Sequence, residues 1–272
     1  MESRDRARNP LLRNLSAHLS SDFPLTEHES AFVRRLHSAT RAIRRGDGII
    51  AQGHTYNSVF VLVDGIGMRY KVLADGQRQV FHVVLPGDLV GYPACFFNHA
   101  LYSVTALTRV SVYPLTFADM TEVFNSYPRL AMSLFWSGAC EIATLGEHLT
   151  AIGRRSAYER VAHFILEMSI RLHDVGIGDG TTFTMPLTQE QIADVLGLTS
   201  QHINRMLRRL REDEMIEIDG TQIRLLDLES LAKLADFNNS YLMRRVEPDG
   251  AMNLPSSSAT RTDGAPIAPP AL

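Results

Sequence analysis

The chain predicts an α+β architecture: an N-terminal β-roll, jelly-roll-like in its strand pattern, then one long helix, then a C-terminal winged helix-turn-helix. Three observations predict it. Between Ala42 and Leu115 short β-rich runs are divided by glycines. From Pro128 onward apolar residues recur at helical spacing. From Pro186 to Leu226 two short helical patterns are followed by a tight hairpin. That order divides the chain into a flexible lead-in over 1–20, the roll over 21–126, the long helix over 127–153, the winged domain over 154–235 and a disordered tail over 245–272. In the tail Pro, Ser, Thr, Ala and Gly replace any apolar period.

The roll rests on strand and turn chemistry. A short helix over Thr26–Thr40, with Phe32, Leu36 and Ala39 on one face, leads into it. Gly46, Gly48, Gly53, Gly65, Gly67, Gly76, Gly87 and Gly91 punctuate the strands that follow. Ser58–Asp64 and Gln79–Leu85 read as strands, and Ser103–Leu115 as a strand pair or one bent strand. Many short strands separated by turn signals imply a sandwich, jelly roll or barrel. Asp75-Gly76 suits a hairpin, because Asp-Gly tolerates the positive φ that such turns require.

The long helix begins at Pro128, whose missing N–H costs nothing in a first turn. Ala131, Phe135, Gly138, Ile142, Leu145, Leu149 and Ile152 then recur with 4-3-4-3-4-3 spacing. That is the seam of two helices lying along each other. Phe135, Gly138, Ile142, Leu145, Leu149 and Ile152 are therefore the expected contact with a second copy; a helix packed only on its own domain is the alternative. Gly153-Arg154-Arg155-Ser156 is expected to break it, and Ala157–Leu172 to form an amphipathic helix carrying Val161, Ile165, Met168 and Leu172.

Bulk composition narrows the function classes. The 272 residues are 45% hydrophobic and 21% charged, enough for real cores and unlike a disordered chain. A net charge of −3 argues against a generally basic, non-specific nucleic-acid binder, and leaves room for a local basic face. No apolar run reaches the roughly 18–20 residues that span a bilayer. No apolar segment follows the polar start as in a secretory signal, which makes the cytoplasm the expected location and excludes a membrane partner. The two cysteines, Cys95 and Cys140, cannot build a four-thiolate site and read as free thiols.

The segment richest in function starts at Thr188. Thr188-Gln189-Glu190-Gln191 is a capping box. Ile192, Val195 and Leu196 line one face of the helix it opens, and Gly197 ends it. Thr199 caps a second helix, with Ile203, Leu207 and Leu210 as its buried stripe. Its other face carries Gln201, His202, Asn204, Arg205, Arg208, Arg209 and Arg211, and no acid before Glu212. Met215–Ile218, Asp219-Gly220 and Gln222–Leu225 then form a hairpin. A charged helix face alone is usually just solvated. Capping box, turn glycine, cationic second helix and hairpin in this order point to a helix that lies in the major groove of double-stranded DNA, with a wing beside it.

The sequence resembles the Crp/Fnr regulators: dimers with a cyclic-nucleotide-binding-like β-roll, a long dimerisation helix and a C-terminal winged helix. Leu187–Ile218 carries the strongest likeness. The roll turns Arg45-Gly46-Asp47, Gln52-Gly53, Asp64-Gly65, Asp75-Gly76 and Pro86-Gly87-Asp88 add to it. The resemblance implies that Ser200, Gln201 and Arg205 read bases on promoter DNA. Thr188, Thr199, His202 and Arg209 are expected on phosphates, which position without specifying. Gln201 departs from the family's usual glutamate; glutamine can pair with adenine where a carboxylate accepts from cytosine. RNA polymerase is the further partner that such a regulator implies.

The resemblance also frames what the roll senses. Tyr92 and Tyr102 stand where the family's cyclic-nucleotide binders carry the glutamate and arginine that hold the phosphate, which argues against cyclic AMP. The cysteine set of the family's iron–sulfur oxygen sensors is missing, which argues against a cluster. No cofactor is predicted. Haem on His82, His99, Cys95 or His148 stays open as an alternative, whereas His54, His82 and His99 are too scattered for a cupin-like metal enzyme. Tyr92, Cys95, Phe96, Tyr102 and Ser103, with Phe97, are expected to line whatever effector pocket is left, or simply to fill it. No phosphate loop, nucleophile elbow or HExxH motif stands out, so no enzyme is expected.

Overall fold

A computed structural model describes residues 26–97 and 99–242. The expected lead-in over 1–20 and tail over 245–272 lie outside the described residues. Helix α1 (Glu27–His37) opens on a capping box: Thr26 Oγ1 accepts from the Glu29 N–H, and the Glu29 carboxylate accepts from the Thr26 N–H at 2.8 Å.

Two antiparallel four-stranded sheets form the roll. One is ordered β1 (Arg41–Ile43), β8 (Val110–Thr116), β3 (Ser58–Asp64), β6 (Leu89–Val90); the other β2 (Gly48–Ile50), β7 (Ser103–Ala106), β4 (Gly67–Val72), β5 (Arg78–Val84). The apolar run of β3 serves two cores by its period of two. Val59, Val61 and Val63 pack under α1 with Phe32, Val33 and Leu36, while Leu62 joins Ile50, Val84, Val104 and Val112 between the sheets. Gly65 is required at its turn: φ is +85°, and a Cβ there would meet Arg109 O at 2.3 Å. Ser103–Leu115 is a strand pair, β7 and β8, turning at 107–109. Two helices unforeseen in the sequence follow roll strands: α2 (Tyr92–Phe96), and α3 (Phe117–Ser126) with a Thr116/Asp119 capping box.

Helix α4 (Pro128–Arg154) runs through Gly153 and Arg154, so the expected break falls two residues later, at Arg155 and Ser156. Ser156 is already the N-cap of α5 (Ala157–Asp174), boxed with Glu159. Within the single chain, Phe135, Ile142 and Leu149 are 62%, 66% and 73% exposed, while Gly138 and Leu145 are half-buried and Ile152 is exposed.

The C-terminal part holds β9 (Thr182–Thr184), α6 (Gln189–Leu196), α7 (Ser200–Glu212), β10 (Ile216–Asp219), β11 (Gln222–Leu225), α8 (Leu228–Ala235) and a 3-10 turn at Asn239–Tyr241. The hairpin gains a third strand in the order β10-β11-β9. β9 lies between the expected helix over Ala157–Leu172 and the motif that begins at Pro186, where no element was expected, and its Phe183 is buried. Winged domain and roll share one apolar cluster. Ile66, Met68, Val80, Val83 and Leu85 of the roll pack with residues of α5, α6 and α7. A bulge makes this possible: Arg69 pairs with His82 and Tyr70 with Val80, so Phe81 is the extra residue that re-phases β5.

A buried polar junction ties these bodies together. The Glu167 carboxylate, fully buried on α5, faces His148 Nε2 of α4 at 2.9 Å, accepts from Arg171 Nη1 at 3.2 Å and from the Tyr241 hydroxyl at 3.2 Å. Arg171 reaches on to Val83 O of the roll at 2.7 Å. Burial alone would raise Glu167; the His148 imidazole and the Arg171 charge outweigh it and hold the carboxyl at about 2. His163, packed on Phe237 and Tyr241, is held down to about 4, by burial first and then by the Arg155 charge.

In the unfolded chain such a histidine titrates near 6.5. Between that pH and about 4 the unfolded state binds the extra proton, so stability falls as the pH drops. The Glu167 contribution adds to this lower down, present above about 4.5 and lost as the pH approaches about 2. Replacing His163 with Phe should flatten the stability slope between pH 6.5 and 4 by up to about 1.4 kcal/mol per pH unit. Urea unfolding at pH 7, 6 and 5 reads this directly, and an unchanged slope would assign the acid sensitivity to other groups.

Candidate nucleic-acid interface

The second helix of the expected motif is built from its caps outward. Thr188 Oγ1 accepts from the Gln191 N–H and the Gln191 side chain accepts from the Thr188 N–H at 2.9 Å, fixing the start of α6. Gly197 ends α6 at φ +62°, the left-handed turn that a Cβ disfavours. Thr199 Oγ1 then accepts from the His202 N–H and starts α7. Ile203, Leu207 and Leu210 are buried and seat α7 against the domain.

The opposite face of α7 is open. Gln201, His202, Asn204, Arg205, Arg208 and Arg209 are exposed, and Ser200 is half-buried at the first turn. Among the described residues Arg205 meets no carboxylate. Asn204 donates to Gln189 Oε1 at 3.3 Å, and Arg208 lies 3.5 Å from Glu212. Arg209 is less free than its neighbours: its guanidinium stacks over the Tyr158 ring at 4.2 Å and lies 3.7 Å from Asp213. Thr188, Thr199 and His202 are exposed. The wing turns at Asp219-Gly220, with Arg224 paired to Glu217 across it.

Inside the roll the expected pocket residues separate. Tyr102 is buried, Tyr92 and Cys95 are half-buried, and Ser103 Oγ accepts from the Gln52 N–H at 3.1 Å. Phe96 does not line this interior: it is mostly exposed and packs edge-on against Phe117, because α2 is barely more than one turn and its last residue points out. Phe97 is exposed as well.

What occupies the interior is a pair that reasoning from the sequence missed. Arg69 of β4, with 3% of its side chain exposed, grips both carboxylate oxygens of Glu141 on α4, donates to Leu89 O at 3.2 Å and lies over the Tyr102 ring at 4.8 Å. Burial pushes the Tyr102 hydroxyl up to about 12 and raises the Cys95 thiol, so both stay neutral near pH 7. A signal was available: Glu141 is the lone acid between Pro128 and Leu145, and Arg69 sits mid-strand between apolar neighbours. A cyclic nucleotide needs a cation for its phosphodiester, and the guanidinium inside this roll is already committed to Glu141. Of the histidines weighed as haem ligands, His82 Nε2 faces Asp88 and Arg171, His148 Nε2 faces Glu167, and His99 is exposed.

Comparison with known proteins fits both halves of this geometry. Residues 159–234 match the Crp-like helix-turn-helix domain, and residues 40–127 match the cyclic nucleotide-binding domain. The chain belongs to the Crp/Fnr family. This Crp/Fnr protein is 28% identical over 197 residues to the transcriptional activator protein FnrA of Stutzerimonas stutzeri, covering 72% of this chain and 80% of that protein. It is 29% identical over 202 residues to the nitrogen fixation regulation protein FixK of Bradyrhizobium diazoefficiens, covering 74% and 82%. Among solved structures, FixK2 from Bradyrhizobium japonicum superposes with a TM-score of 0.64 at 27% identity, covering 72% of this chain and 96% of that one. As a Crp/Fnr protein it is a DNA-binding transcription regulator. No helix among the described residues is long and apolar enough to cross a membrane.

Proposed function

We propose that the protein acts as a homodimer on a pseudo-palindromic operator, each copy reading one half-site with Ser200, Gln201 and Arg205. One observation carries the reading: the first turns of α7 are exposed and free of acid, while three buried side chains hold the helix from behind. Arg205 presents a planar fork suited to guanine O6 and N7, and Gln201 a donor–acceptor pair suited to adenine. Thr188, Thr199 and His202 hold phosphates, with Arg209 joining them once it leaves Tyr158. The exposed stripe of Phe135, Ile142, Leu149 and Ile152 pairs two copies along α4. A two-fold dimer then spaces its recognition helices about one helical turn apart, roughly 34–36 Å.

The interior of the roll is occupied by the Arg69–Glu141 pair, so cyclic AMP is not its effector in this reading. The regulator works in the cytoplasm, where promoter DNA and RNA polymerase are. Selection of binding sites from random duplex DNA tests the whole: enrichment of a two-fold symmetric sequence supports it, and failure to enrich any duplex sinks it. Arg205→Ala should cost about 1–3 kcal/mol of operator affinity and relax one base position per half-site. Equal weakening on every sequence would place Arg205 on a phosphate instead.

A further inference from the structure

The last turn of α6 is finished by the roll. Helix C-termini leave carbonyls without intrahelical partners. Here Gln79 Nε2 of β5 donates to Asp194 O at 2.7 Å and to Val195 O at 3.2 Å, and Arg160 Nη1 of α5 donates to Leu196 O at 3.0 Å. Beside Gln79, Arg78 Nε donates to Asp194 Oδ2 at 2.6 Å, and its guanidinium lies 3.8 Å from Glu190. Two adjacent strand residues of the roll thus grip the first helix of the helix-turn-helix through its side chain and its backbone. The grip leaves the base-reading side untouched. Gln201 and Arg205 are exposed, and a cleft of about 940 Å3 stays open between Gln77 and Arg78 at the start of β5 and Thr199 and His202 at the start of α7.

The covalent link from α4 to the winged domain is short, Arg155 and Ser156. A two-residue joint limits reach and leaves rotation to be fixed by contacts. A dimer discriminates operators by half-site spacing only if each recognition helix is held at a fixed angle to the helix that pairs the copies. We infer that Arg78 and Gln79 are specificity-determining residues for operator spacing: they lock the angle of the winged domain on the roll without touching DNA. This rests on the reading of the protein as an operator-binding dimer.

The test uses the full chain, its selected operator, the same operator with one or two base pairs added between half-sites, and an isolated half-site. The wild-type protein should lose about tenfold or more affinity when the spacing changes. Gln79→Ala and Arg78→Ala should each lose about three- to tenfold on the native operator, while their penalty for altered spacing shrinks to about threefold or less. Both should bind the isolated half-site as the wild type does. Exchanging the charges, Arg78→Asp together with Asp194→Arg, should restore the spacing penalty that Arg78→Asp alone removes.

Variants that keep the wild-type spacing penalty overturn the inference, and so does a parallel loss on the half-site, which would mark a damaged domain rather than a freed one. A wild-type protein that selects no duplex overturns the operator reading itself, and the spacing inference with it.

Discussion

Glu141→Gln should destabilise the fold by about 3–5 kcal/mol, the cost of stripping one partner from a buried ion pair. Arg69 would keep its charge with 3% of its side chain exposed and only neutral acceptors in reach, the Leu89 carbonyl and the new amide oxygen. Water cannot reach it to compensate. The paired replacement, Arg69→Met with Glu141→Leu, removes both charges at once and should return the stability to that of the wild type or exceed it by about 1–4 kcal/mol. Urea denaturation of the three proteins at one pH separates these outcomes. If Glu141→Gln costs less than about 1 kcal/mol, the guanidinium is neutralised from elsewhere and the pair is not what fills the roll.

The second large effect belongs to the stripe on α4. Ile142→Glu with Leu149→Glu places two charges where the single chain exposes two large apolar side chains. The isolated protomer loses no buried contact, so its melting should hardly change. The dimer should be lost, because the seam would carry like charges facing each other without water. Each recognition helix then binds its half-site independently, and operator affinity should fall by about 10²–10⁴, the range that tethering two binding modules supplies. Sedimentation and operator titration on the same sample check it. A double variant that remains dimeric would move the seam to another face of the molecule.

The winged motif was legible because its signals are local. A capping box, a glycine that must take positive φ, and buried residues at 203, 207 and 210 all lie within one stretch of chain, and each states its own geometry. β9 was not legible: three residues with one buried phenylalanine become a strand only because β11 offers an edge to pair with. The helix over Phe117–Ser126 had a readable Thr116/Asp119 box, yet it follows directly on a strand whose apolar alternation masks the change of period. The end of α4 was misplaced because a glycine costs a helix only about 1 kcal/mol, whereas the decisive signal was Ser156, boxed with Glu159 to start the next helix. Phe96 has the chemistry of a pocket residue, yet a helix as short as α2 has too little surface to bury every apolar residue it carries.

The interior of the roll shows the limit most clearly. Arg69 and Glu141 are 72 residues apart, and no periodicity carries the identity of a partner at that range. The same holds for Gln79 and the carbonyls it caps on α6. The capping box and Gly197 mark out α6 locally, whereas the strand that finishes it comes from more than a hundred residues away.

The apolar cluster shared by Ile66, Met68, Val80, Val83 and Leu85 with the C-terminal half has a consequence for synthesis. A ribosome delivers the roll strands long before the residues that cover them. Until the segment from Tyr158 onward has emerged, one outer flank of the nascent roll remains a wet, greasy surface with β-strands beneath it, the kind of surface that attracts chaperones or sticks to its neighbours. That flank is therefore covered last, although it is made first, and a chain that ended before the winged domain would leave it open to water.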